Sequence, residues 1–215
     1  MSTLTISTPI PYACQFASPE LVWEFINKTR NLASDPRWAE YGADTPDEYR
    51  HWAMRSCGVV CVKMAVEGLA GIAPRPVMDW VREGLSIDGY LTEIRADRPV
   101  EMGWKHAALA ELARRHGLHA ELASRLTLDD LDERLRADRL IIASVTSELG
   151  EDAPITRQNG HLIVVYGAEL DSSSQVQGVV AHNPSGRRPE LQAGASIPAG
   201  RFMEGFSGRG IVIGR

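Results

Sequence analysis

The period of the hydrophobic pattern changes once along this chain, near residue 140, and that change restricts the fold more than any other feature. Upstream, apolar residues recur at helical spacing. Val60, Cys61, Met64 and Ala65 share one face and Gly68 supplies a stop, which predicts a buried helix over about 57–67. A short helix is expected near 77–84 and a clear helix over 103–116, and Thr127 caps an amphipathic helix with acids in its first turns. Downstream, apolar runs at 140–146, 160–167, 175–181 and 210–213 read as strands. Asn183-Pro184-Ser185-Gly186 is a strong turn after the third. Helices first and strands after them predict an α+β fold, with the Cys57 helix packed on a mostly antiparallel sheet built from about residue 118 onward.

The chain has 215 residues, enough for one domain with a real core, and is expected to be a single domain over 1–215. A net charge of -5 gives no basic footprint, so nucleic acid is not an expected partner. The first ten residues lack a basic, then apolar, leader pattern, and no apolar run reaches the roughly 18 residues of a membrane span. A cytoplasmic protein without membrane partners is expected. Cys14, Cys57 and Cys61 are an odd count and too few for a disulfide framework, so they are expected as thiols.

Residues 18–52 stand apart. Ser18-Pro19-Glu20 and Thr45-Pro46-Asp47-Glu48 both look like helix starts, with breakers between them. The segment is dense in aromatics, among them Trp23, Trp38, Tyr41, Tyr49 and Trp52. It reads as a helical insertion that narrows access to a cleft, with Trp38 and Tyr41 as substrate-binding candidates. Aromatic residues serve more often in cores, and that reading competes.

A thiol that attacks a carbonyl must ionise, needs a base, and needs donors for the oxyanion. Cys57 falls at a predicted helix start, where unpaired amides and the helix dipole lower a thiol pKa. Gly58 beside it would allow close approach of a substrate. Cys61, one turn deeper among valines, reads as a buried small residue. His161 opens an apolar strand, and Gly160 before it leaves the imidazole accessible. Asn183 ends the following strand and could hold an imidazole tautomer through its amide. Strand alternation then turns the neighbouring His182 away from the site. Gln15, in an extended stretch, could complete an oxyanion hole. Taken singly, each has a structural reading: a core histidine, a turn asparagine, a surface glutamine.

Their order resembles a family. Gln15, Cys57-Gly58 opening a helix, Gly160-His161 on a strand and Asn183-Pro184 after a strand are similar to the papain-like cysteine peptidases of the bacteriocin-leader-peptidase type. Gly103-Trp104, Gly117-Leu118, Leu140–Val145 and the closing 207–213 segment fall where similar proteins place them. The resemblance implies a papain-like fold without a cofactor, with Cys57 as nucleophile and His161 as base. It also implies Asn183 as the residue orienting that base and Gln15 as oxyanion donor. The expected activity is thioester-mediated cleavage of a peptide, of leader or precursor type. The pattern departs at Val59, where similar proteins have proline, and at Asn183, where the acid is replaced by its amide. About 40 residues separate Gln15 from Cys57, a long connection. Acyl transfer to an amine, and a non-catalytic peptide-binding domain, use the same scaffold and stay open. Zinc on Cys57-x3-Cys61 with a histidine is the weaker alternative, since the spacing is unusual.

Overall fold

The computed structural model describes residues 2–95, 97–149 and 154–215. Its chain order is β1 (Ser2–Thr5), α1 (Val22–Ile26), α2 (Pro46–Ala53), α3 (Cys57–Leu69) and α4 (Val77–Ser86), then β2 (Tyr90–Arg95), β3 (Arg98–Trp104), α5 (His106–Arg115), β4 (His119–Ala123) and α6 (Leu128–Arg136). It continues with β5 (Leu140–Val145), β6 (His161–Leu170), β7 (Val176–His182), β8 (Ala195–Pro198), α7 (Ala199–Gly205) and β9 (Phe206–Gly214). Strands β4-β9-β5-β6-β7-β8 form one sheet in that order, β1 adds to β6, and every pairing is antiparallel. The α+β reading is met.

Helix α3 is buried along almost its whole length and packs on β6, β5, α4 and α5. A helix buried on all sides needs its polar side chains paired. Lys63 and Glu67 are the charged residues of α3; they pair with each other at i,i+4, and Glu67 also accepts from the Arg75 amide at 2.9 Å. Strand β5 is buried at every position, so both faces of the sheet are covered; α3 and α6 both pack on it. Two of the predicted starts hold locally, while Ser18 makes no side-chain cap. Thr45 accepts from the Glu48 amide at the head of α2, and Thr127 with Asp130 forms a reciprocal cap on α6.

Two expectations need correction. No strand is expected between the helices near 77–84 and 103–116, but β2 and β3 form a hairpin there, separate from the main sheet. That hairpin takes residues through Trp104, so α5 begins at His106 and not near Gly103. The helical character expected of 18–52 is present, in short pieces joined by irregular turns. Its buried centre is polar as well as aromatic: Asp35 accepts from the Ser18 hydroxyl at 2.6 Å and from the Tyr49 hydroxyl.

Candidate active site

Cys57 is the first residue of α3. The residue before it, Ser56, is fully buried and accepts from the Tyr41 hydroxyl at 2.8 Å. Its side chain does not cap the helix, so the Ser56 hydroxyl leaves the first amides of α3 free for the Cys57 sulfur. Amides of Leu162, Gly58 and Cys57 itself act on the sulfur and draw its pKa down. Burial acts the other way and is larger, so the thiol lies above its ordinary value. The expected lowering by the helix start is therefore present as a contribution but outweighed. Cys14 and Cys61 are buried while Cys57 is partly exposed. Burial pushes the Cys14 thiol up to about 12 and the Cys61 thiol well up.

His161 opens β6 opposite Val145 of β5. Its Nε2 donates to Asn183 Oδ1 at 2.9 Å. The register explains the meeting. His182 lies opposite Val164, so Asn183, one residue on, extends toward Ile163 and shares the face of His161. His182 turns the other way, donating from Nε2 to the Ile10 carbonyl and accepting at Nδ1 from the Gly194 amide.

The tautomer of His161 follows from a third group. Asn183 Oδ1 also accepts from the backbone amide of Ser185 at 3.0 Å. A backbone amide can only donate, so the atom it meets is the amide oxygen, and His161 Nε2 must carry the proton. Nδ1 then holds the lone pair, the form a general base needs. Nδ1 has no hydrogen-bond partner among the described residues. Burial lowers the pKa of the ring and the Asn183 bond partly restores it.

Gln15 is 5% exposed, so it is no surface glutamine. Its amide N–H donates to the Pro184 carbonyl at 2.8 Å, and Nε2 donates to the Ala53 carbonyl at 2.9 Å. Nε2 keeps a second proton, and Oε1 is buried without a partner. Gln15 thus ties the end of α2 to the Asn183-Pro184 turn.

Cys57 and His161 line one cleft of about 860 Å³ with Arg55, Tyr90, Glu101, Trp104, Ser144 and others. Gly160 is exposed at its edge with open space over its α-carbon, while the His161 side chain beside it is buried. Gly58 is not a point of substrate approach. A methyl group there would meet Leu109 Cδ1 at 2.9 Å, Leu162 Cδ1 at 3.2 Å and Trp104 Cβ at 3.3 Å, so this glycine serves packing. Trp38 and Tyr41 do not line the cleft either. Tyr41 is buried against Tyr49, and Trp38 packs on the core. From the 18–52 segment, Trp52 packs on two lining residues, edge-on to Tyr90 and tilted against Trp104.

The β2–β3 hairpin and the residues just after α2 supply the cleft wall that sequence reasoning missed. Trp104 Nε1 donates to the Arg55 carbonyl at 2.8 Å, and Arg55 pairs with Glu101. The Gly103-Trp104 pair was visible as a motif, but nothing in the sequence linked Arg55 to Glu101. Ser185, the partner of Asn183, was visible only as part of a turn. Among the described residues, no three His, Cys, Asp or Glu side chains gather as metal ligands.

A putative C39-like peptidase from Bacillus anthracis is similar in structure at a TM-score of 0.53 and 16% identity, over 75% of this chain and 89% of that one. The chain has a papain-like C39 peptidase fold. The peptidase domain of Streptococcus ComA, a bifunctional ABC transporter involved in quorum sensing, is similar at 0.49 and 15% identity, over 75% of this chain and 92% of that one. A double-glycine-motif protease from an AMS/PCAT transporter, solved with its leader peptide, is similar at 0.43 and 16%, over 74% of this chain and 83% of that one. No family model and no curated protein matches the sequence. In this C39-like fold the helix that begins at Cys57 and the strand that begins at His161 both open onto the cleft. Among the described residues, no helix is long and apolar enough to cross a membrane.

Proposed function

We propose that the protein is a cysteine peptidase that cleaves a peptide through a thioester acyl-enzyme. The observation that carries this reading is the shared cleft of Cys57 and His161, with His161 fixed by Asn183 in the tautomer that leaves Nδ1 basic. His161 Nδ1 takes the thiol proton as the sulfur of Cys57 bonds to the scissile carbonyl carbon. The oxyanion is held by the Cys57 amide and the remaining Nε2 proton of Gln15. As the intermediate collapses, the C–N bond breaks and the leaving amine takes the proton from His161. Water, deprotonated by the same Nδ1, then releases the acyl group and restores the thiol. A peptide of leader or precursor type is the substrate class that the motif order implies.

The test is alkylation of the intact protein with iodoacetamide near neutral pH, read by intact mass, with and without His161→Ala. Fast labelling of Cys57 that depends on His161 supports the hydrolase. A Cys57 whose reactivity ignores the histidine overturns it and leaves a non-catalytic peptide-binding domain.

A further inference from the structure

The cleft holds a group of donors that the proposed peptide chemistry does not use. Arg209, His106 and Ser144 all line it. Arginines elsewhere are commonly tied to carboxylates, as Arg55 is to Glu101 and Arg75 to Glu83. The Arg209 guanidinium has no carboxylate or carbonyl partner among the described residues, and the His106 ring and the Ser144 hydroxyl have no hydrogen-bond partner there. The acid that lines the cleft, Glu101, is already paired with Arg55 and faces His51 at 3.5 Å. A chain of net charge -5 therefore presents an uncompensated cation in its cleft.

The backbone accounts for the placement. Along β5 and β9, Ala143 pairs with Gly210 and Val145 with Phe206, so residues 207–209 stand opposite Ser144 alone. This bulge turns on Gly208, at φ +71°, a conformation that favours glycine. Bulges of this kind re-aim side chains at the edge of a site. Here the bulge presents Arg209 beside Ser144. His106 stands at the first position of α5, close enough for the Arg209 charge to act on it.

We propose that Arg209, His106 and Ser144 form an anion subsite of the cleft that selects peptides carrying a carboxylate, from an acidic side chain or a free C-terminus. The inference rests on the peptidase reading for its substrate class. A guanidinium offers paired donors to a carboxylate, and the histidine and serine supply further donors to the same anion.

The test uses bromoacetyl-capped dipeptides as probes of Cys57 in the full chain. One ends in Glu amide, one in Gln amide, one in Lys amide and one in Gly with a free carboxylate. Labelling is read by intact mass, so no peptide bond has to be cut. The Glu probe, the free-carboxylate probe or both should label about 3- to 10-fold faster than the Gln probe, as befits a charged pair open to solvent. Which of the two gains identifies the source of the carboxylate. The preference should disappear in Arg209→Gln and turn toward the Lys probe in Arg209→Glu. Equal rates for all probes, or a preference that survives Arg209→Gln, overturn the subsite while leaving the hydrolase standing. A preference that depends on Arg209, with labelling indifferent to His161→Ala, keeps the subsite and overturns the hydrolase. No adduct at Cys57 overturns both.

Discussion

Asn183 Oδ1 stands 2.9 Å from His161 Nε2, at the one position where the register of β6 and β7 turns an orienting side chain onto the face of the imidazole. Asn183→Ala should leave the fold intact and lower His161-dependent labelling of Cys57 about 10-fold, a fraction of what a full general base contributes. Asn183→Asp restores the acceptor and adds a negative charge, which favours the protonated ring. Its acid limb should therefore move to higher pH in a rate profile of labelling. An unmoved limb would mean that residue 183 does not act on the histidine.

At rest the pair should be neutral. Burial holds the Cys57 thiol above its ordinary value and His161 below its own. Between those two pKa values, proton transfer from thiol to ring does not change the total protons bound, so labelling should be flat with pH. The plateau should reach below pH 6.5, the ordinary histidine value, and end above the ordinary thiol range. His161→Ala should remove the plateau and leave only a rise at alkaline pH. A stopped series of iodoacetamide reactions from pH 5 to 10 checks this.

Gln15→Ala separates two steps. Alkylation develops no oxyanion, so labelling of Cys57 should be unchanged. Turnover of a peptide should fall by about 10²-fold, the usual effect of one oxyanion donor. An equal loss in both assays would mean that Gln15 acts only by tying the Ala53 carbonyl to the Pro184 turn.

Stability should fall in acid. His161 and His182 are 6% and 5% exposed, and burial lowers both pKa values. A depressed folded-state pKa means full stability above the unfolded value and loss as pH falls from there through the folded value. Each ring should contribute a slope of about 1.4 kcal/mol per pH unit in that window. Urea midpoints at pH 7.5 and 5 check it, and midpoints that do not move would contradict it.

Gly58→Ala sets two effects against each other. Helix propensity gains about 1 kcal/mol. Crowding against Leu109, Leu162 and Trp104 costs about 1–3 kcal/mol. Net destabilisation of about 1 kcal/mol is expected by urea titration.

Much of this was legible in the sequence because the elements that build it are long and strongly patterned. The run from Cys57 to Gly68, the strands at 140, 161 and 176, and the Asn-Pro turn each announced themselves. The β2–β3 hairpin did not. It lies off the main sheet, its β3 strand is mostly exposed and contains Pro99, and so it lacks the apolar alternation that marks a half-buried strand. The cleft wall it forms was hidden with it. The balance on Cys57 was half visible: a helix start can be read from residues, but burial is a property of the packed molecule. Aromatic density at 18–52 misled for the same reason, since Tyr49 and Tyr41 are buried against Asp35 and Ser56, and of the rings named there Trp52 reaches the aromatic wall of the cleft.

The hydrogen bond from the Gln15 amide to the Pro184 carbonyl has a temporal consequence. Residues 15 and 57 leave the ribosome long before residues 161 and 183, and they must wait for the β6–β7 pair before the first segment can dock. A nascent or truncated chain thus carries the Cys57 thiol without the His161 ring or the docked Gln15. On the proposed peptidase reading, nucleophilic competence would arrive only when the two ends of the chain close on each other, and completed folding would be the event that arms the molecule.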